Sequence, residues 1–86
     1  MSTQKRLGFV GIILGDREKC APQVNKILSE YGDLIVGRMG IPYPEKSCWV
    51  ITVIVNATTD EFGALTGKLG HLEGVIAKSA LAPAES

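Results

Sequence analysis

Few side chains in this sequence have types suited to bond-making chemistry, and their spacing decides what they can do. Cys20, Cys48 and His71 are the groups that ligate soft metals or attack electrophiles. Metal sites read from sequence as close-set pairs, two ligands within a few residues of each other. These three stand far apart and match no such spacing. The cysteines read as two reduced thiols, and His71, after a glycine near the end of a helix, as a solvated side chain. No nucleophile has a base at a spacing that would pair them. The expectation is therefore no enzyme, no metal and no cofactor. Gly15-Asp16 is a different case, because it precedes a helical segment whose first amides can hold a small anion. Arg38 stands in a glycine-flanked apolar strand, either as a solvated edge charge or as a contact to a ligand or an interface. Gly15, Asp16 and Arg38 are the candidate ligand-binding residues.

The elements that must position these residues follow from hydrophobic periodicity. "LGFVGIILG" (Leu7–Gly15) is short and apolar and reads as a strand buried on both faces. Asp16 then offers itself as a helix N-cap. Cys20, Val24, Ile27, Leu28 and Tyr31 recur at helical spacing, and Gly32 stands where a helix stops. Pro22 removes a backbone donor, which moves the expected start of the regular helix toward Lys19. "DLIVGRMGIPY" reads as a second strand broken by Gly37 and Gly40 and ending at Pro42, with a two-proline loop to Ser47. "CWVITVIVNA" (Cys48–Ala57) is the strongest strand signal. Thr58 and Glu61 fit a capping box for a second helix, and Gly74 opens a last strand, Val75–Leu81. The order β-α-β-β-α-β gives an α+β class fold. It is a ferredoxin-like βαββαβ sandwich, a four-stranded antiparallel sheet with two helices on one face. One domain over residues 1–86 is expected, with flexible tails at 1–6 and 82–86.

Two patterns bear on function. In the second helix, Phe62, Leu65, Leu69 and Leu72 fall within about 80° of a helical wheel, while Gly63, Gly67 and Gly70 cluster roughly 150° away. Each interior glycine costs about 1 kcal/mol relative to alanine. The stripe is either a surface that another backbone approaches closely, with Gly63 and Gly67 as interface residues, or tolerated weakness in a helix ended by Gly70. The sheet supplies the second pattern. Trp49, Ile51, Val53 and Val55 point one way and Val50, Thr52 and Ile54 the other, and Phe9 and Ile13 oppose Val10, Ile12 and Leu14. Helices cover one face only, so the other leaves a large apolar patch, and a homo-oligomer, at least a dimer, is expected.

Nine basic and nine acidic side chains cancel. That balance removes the long-range field that draws proteins to nucleic acid, so no direct nucleic-acid binding is expected. There is no apolar run of about 18 residues and no signal-peptide pattern, so no membrane partner is expected and the cytoplasm is the default location.

"DREKCAPQVNKILSEYGDLIVGRMGIPY" and "FGALTGKLGHLEGV" together resemble the family of iron-only hydrogenase system regulators, and the likeness runs from Arg6 to Leu81. That family is similar to the ligand-sensing half of nickel-responsive repressors and, more distantly, to ACT domains. The resemblance implies a ferredoxin-like fold, a homo-oligomer and a regulatory role exercised through a small-molecule ligand or a partner protein. Two departures qualify what carries over. Only MSTQKR precedes the first strand, too short for the DNA-binding segment of those repressors, and one histidine stands where their nickel site needs several. Asp16 matches the ligand loop of ACT domains, but Glu18-Lys19 stands where a glycine would be expected. A DNA-binding transcriptional regulator is the alternative reading.

Overall fold

The computed structural model describes residues 4–83. Four strands, β1 (Arg6–Leu14), β2 (Ile35–Tyr43), β3 (Cys48–Ala57) and β4 (Val75–Leu81), form one sheet. Helix α1 (Arg17–Glu30) joins β1 to β2, and α2 (Thr59–His71) joins β3 to β4. The strand order is β2-β3-β1-β4, and every pairing is antiparallel. This is the ferredoxin-like arrangement, with the two most apolar strands in the centre. Both helices pack on one face of the sheet. Their stripes, Cys20, Val24, Ile27 and Leu28 from α1 and Phe62, Leu65 and Leu69 from α2, meet Val10, Ile12, Leu14, Ile51, Val53 and Val55 in a continuous core. Each such aliphatic side chain, fully buried, contributes about 1.5–3 kcal/mol.

Several local expectations are corrected. Helix α1 begins at Arg17 and runs through Pro22. The Asp16 carboxylate accepts the Lys19 N–H at 3.2 Å and caps the first turn. Pro22 lies on the exposed side, where the Glu18 carbonyl it leaves unpaired can turn to water. The helix ends at Glu30, just before Gly32 as expected, and Gly32 opens a 3-10 turn, Gly32–Leu34, that drops Leu34 into the core. Strand β2 continues through both its glycines. A bulge between Ile35 and Gly37 takes up the misfit, and Pro42 is tolerated inside the strand because β2 is an edge. Gly70 does not end α2, which reaches His71; the turn into β4 uses Gly74 at φ 79°. Strand β1 is buried on one face only, since Leu7, Phe9 and Ile13 remain open. Of the terminal segments 1–6 and 82–86, residues 1–3 and 84–86 lie outside the described residues. Elsewhere in them, Arg6 begins β1, Lys5 pairs with Glu61, and the Ala82 N–H donates to the Leu7 carbonyl at 2.8 Å.

The capping box of α2 forms as its residues imply. The Glu61 N–H donates to Thr58 Oγ1 at 3.2 Å, and the Thr58 N–H donates to Glu61 Oε1 at 2.8 Å. Thr58→Ala should cost about 1 kcal/mol in a denaturant titration. The same site makes stability pH-dependent. The hydrogen bond from the Lys5 ammonium, then that from the Thr58 amide, hold the Glu61 carboxyl below its ordinary value of 4.5. A carboxyl depressed in the folded state stabilises above its ordinary value, and that contribution is lost as pH falls through the folded value. Thermal melts over this acid range should show wild type losing more stability than Glu61→Gln; parallel curves would refute the assignment.

Candidate functional site

The residues singled out by their chemistry do not converge. Asp16 is occupied as a cap, and the Gly15 N–H donates to the Gly74 carbonyl at 3.4 Å. Arg38 donates from Nη2 to Asn25 Oδ1 of α1 at 3.0 Å. It stands opposite Val53, whereas Leu14, the residue before Gly15, stands opposite Trp49. Four residues along β3 separate the two positions, about 13 Å at 3.3 Å per residue. Cys20 is buried with its Sγ 3.6 Å from the Glu73 carbonyl, and Cys48 is half-buried; both are free thiols. His71 is exposed at the end of α2. Among the described residues, no three His, Cys, Asp or Glu side chains gather as a metal centre.

Gly63, Gly67 and Gly70 face away from the sheet, and a Cβ built on any of them meets nothing within 4 Å. Gly67→Ala should therefore stabilise the chain by up to about 1 kcal/mol, and Gly67→Leu should behave similarly if that side meets only water. A loss of assembly in the leucine variant, read by sedimentation, would instead mark the stripe as a contact surface, by overpacking of about 1–3 kcal/mol.

Two surface features are better built. The first is the sheet face opposite the helices. The register sets Ile54, Phe9 and Ala80 side by side, then Met39, Thr52, Gly11 and Lys78, then Ile41, Val50, Ile13 and Ile76. Among the described residues, nine large hydrophobic residues are exposed. Eight of them, Leu7, Phe9, Ile13, Met39, Ile41, Tyr43, Ile54 and Ile76, lie on this face, and Val36 sits in the bulge at its edge. Lys78, on the edge strand β4, is the only charge in these rows. At one end, Leu7, Phe9, Ile54, Ala80 and Leu81 line an open apolar depression of 420 Å³.

The second feature is a smaller and equally open surface cavity of 220 Å³ where the β1–α1 and β2–β3 connections meet. Trp49 is its floor. A Cβ on Gly40 would lie 3.1 Å from Trp49 Nε1, so the absence of a side chain there lets the indole rest over β2. The Arg17 guanidinium carbon sits over the ring, 4.1 Å from its centroid. Gly15, Pro42, Pro44, Ser47 and Cys48 complete the wall. Neither Arg17 nor Trp49 stands out by spacing. Their meeting depends on the β2–β3 turn, which closes with Ser47 in the left-handed region at φ 51°.

Comparisons with known proteins agree with the architecture. Residues 6–79 match the TM1266-like family, described as a proposed regulator of the iron-only hydrogenase system. The uncharacterized protein TM1266 from Thermotoga maritima superposes with a TM-score of 0.88 at 35% identity, over 93% of this chain and 100% of that one. An unknown protein from Galdieria sulphuraria gives a TM-score of 0.63 at 14% identity, over 96% of this chain and 48% of that one, a likeness of fold alone. Among the curated proteins nothing matches. No helix among the described residues is long and apolar enough to cross a membrane.

Proposed function

Because the chain belongs to the TM1266-like family of proposed iron-only hydrogenase system regulators, we propose that it is a cytoplasmic regulatory module that works as a homo-oligomer, at least a dimer. It acts by binding a small ligand or a partner protein and not by catalysis. The observation that carries the assembly is the open sheet face, which gathers eight of the nine exposed large hydrophobic residues. Four strands at about 4.8 Å spacing, each about 25 Å long, project roughly 500 Å². That is near the upper end of the patches single chains leave in water. A second copy laid on it would bury about twice that area in total, roughly the 1,000 Å² at which biological interfaces begin. Lys78 lies on the edge strand, where its long stem can carry the ammonium to the rim. The depression at Leu7, Phe9 and Leu81 gives a protruding side chain of the second copy a seat. ACT-like sensing, in which a ligand biases such an assembly, fits the same plan. Sedimentation velocity and native mass spectrometry over a range of concentrations test this reading. A dimer or larger species, with or without a retained small molecule, is expected. A monomer at every concentration would overturn it.

A further inference from the structure

From the stack of Gly40 backbone, Trp49 indole and Arg17 guanidinium, we propose that the cavity beside it binds a small organic carboxylate, gripped by Arg17. The guanidinium is planar, and here one face is occupied by the indole. The contact holds the guanidinium beside the cavity that Arg17 helps to line, with its N–H groups available to a ligand. Among the described residues Arg17 has no ion pair and no hydrogen bond. It is therefore a cation held in place without an anion. Of the two acids that flank it in sequence, Asp16 is engaged with the Lys19 amide and Glu18 makes no ion pair with it. A guanidinium edge matches two carboxylate oxygens in a forked pair, the strong form of this contact.

The walls decide what the carboxylate is attached to. Trp49, Pro42 and Pro44 are apolar and flat, and Ser47 offers one hydroxyl. One unpaired cation and mostly apolar walls favour a monoanion with an apolar body over phosphate, whose greater charge asks for more donors. At 220 Å³ the cavity is smaller than the sites of drug-sized ligands, so the acid has few heavy atoms. This names a chemical class for the ligand in the sensing role proposed above, on which its biological meaning rests. Binding itself does not require assembly.

Trp49 is the only tryptophan in the chain, so tryptophan fluorescence reports on the surroundings of this one residue. The full chain is titrated with benzoate, hexanoate and inorganic phosphate, with sedimentation run on the same samples. The expected result is a saturable change in Trp49 emission with at least one carboxylate at millimolar concentration. Arg17→Gln should weaken it about tenfold or more, and so should Arg17→Lys, which keeps the charge but loses the planar fork. Arg17 is exposed, so both variants keep the fold, which circular dichroism checks. No saturable change in wild type, equal affinity in Arg17→Gln, or saturation by phosphate alone would each overturn the proposal. Carboxylate binding by a chain that sediments as a monomer would leave this site standing and remove the assembly; an oligomer blind to carboxylates would do the reverse.

Discussion

Ile13→Glu should dissociate the proposed oligomer while leaving the protomer folded. Ile13 sits on a central strand, between Val50 of β3 and Ile76 of β4, in the middle of the open face. Its side chain is 41% exposed in the single chain, so a carboxylate there remains hydrated and costs the protomer little. In an assembly that buries this face, the same carboxylate has no basic partner nearer than the edge-strand Lys78. Burying it unpaired costs several kcal/mol. At 1.4 kcal/mol per tenfold, association should weaken by roughly two to four orders of magnitude. Ile13→Thr, uncharged and still β-branched, should show a far smaller change. Sedimentation velocity reads the shift directly, and far-UV circular dichroism reports the fold. If Ile13→Glu sediments like wild type, this face is not the interface.

The largest effect on the protomer itself is expected at Gly8. A Cβ there would lie 2.8 Å from the Ala80 carbonyl oxygen, 2.9 Å from Leu81 Cδ1 and 3.1 Å from Phe62 Cε1. The first of these is backbone of the paired strand β4 and cannot retreat without opening the sheet. Gly8 is thus a point of close approach between the sheet and Phe62 of α2. Gly8→Ala should cost about 2–3 kcal/mol by overpacking. Gly11→Ala is the control on the same strand, because its added carbon meets only the Lys78 carbonyl at 3.8 Å, an ordinary contact. Urea midpoints at equal protein concentration should separate the two variants clearly; similar midpoints would mean that β4 and Phe62 yield more readily than their positions imply.

Much of the fold was legible because local and global signals agree. Strand β3 and strand β4 have the bounds their apolar runs imply, and Thr58 and Glu61 close the box their spacing predicts. The glycine stripe lies outward because the wheel that places Leu65 and Leu69 inward leaves it no other side. Errors fell where neighbours elsewhere in the chain decide. Pro22 by its type points to a later helix start, but the buried stripe Cys20 to Leu28 and the cap at Asp16 outweigh a single lost hydrogen bond, whereas Gly32 does follow the helix end at Glu30. Gly37 breaks nothing because β3 holds both sides of the bulge. The candidate site was less legible. Gly15 does line the small cavity, but Arg38 is turned to Asn25, and the Arg17–Trp49 stack joins residues from α1 and β3. No periodicity encodes that meeting.

The strand order also sets when this protein can fold during its manufacture. Strand β1 leaves the ribosome first, yet both of its partners come late: β3 pairs Arg6 with Ala57, and β4 pairs Gly8 with Leu81. Nothing in the first half of the chain can satisfy its edges. At roughly 5–20 residues per second, an apolar strand waits for seconds with both ladders unfilled. The glycines within it, Gly8 and Gly11, lower its tendency to find a stray partner meanwhile. One edge is filled when β3 arrives and the other only by the last strand, so truncation near the C-terminus should leave aggregation-prone chains and not a smaller folded core.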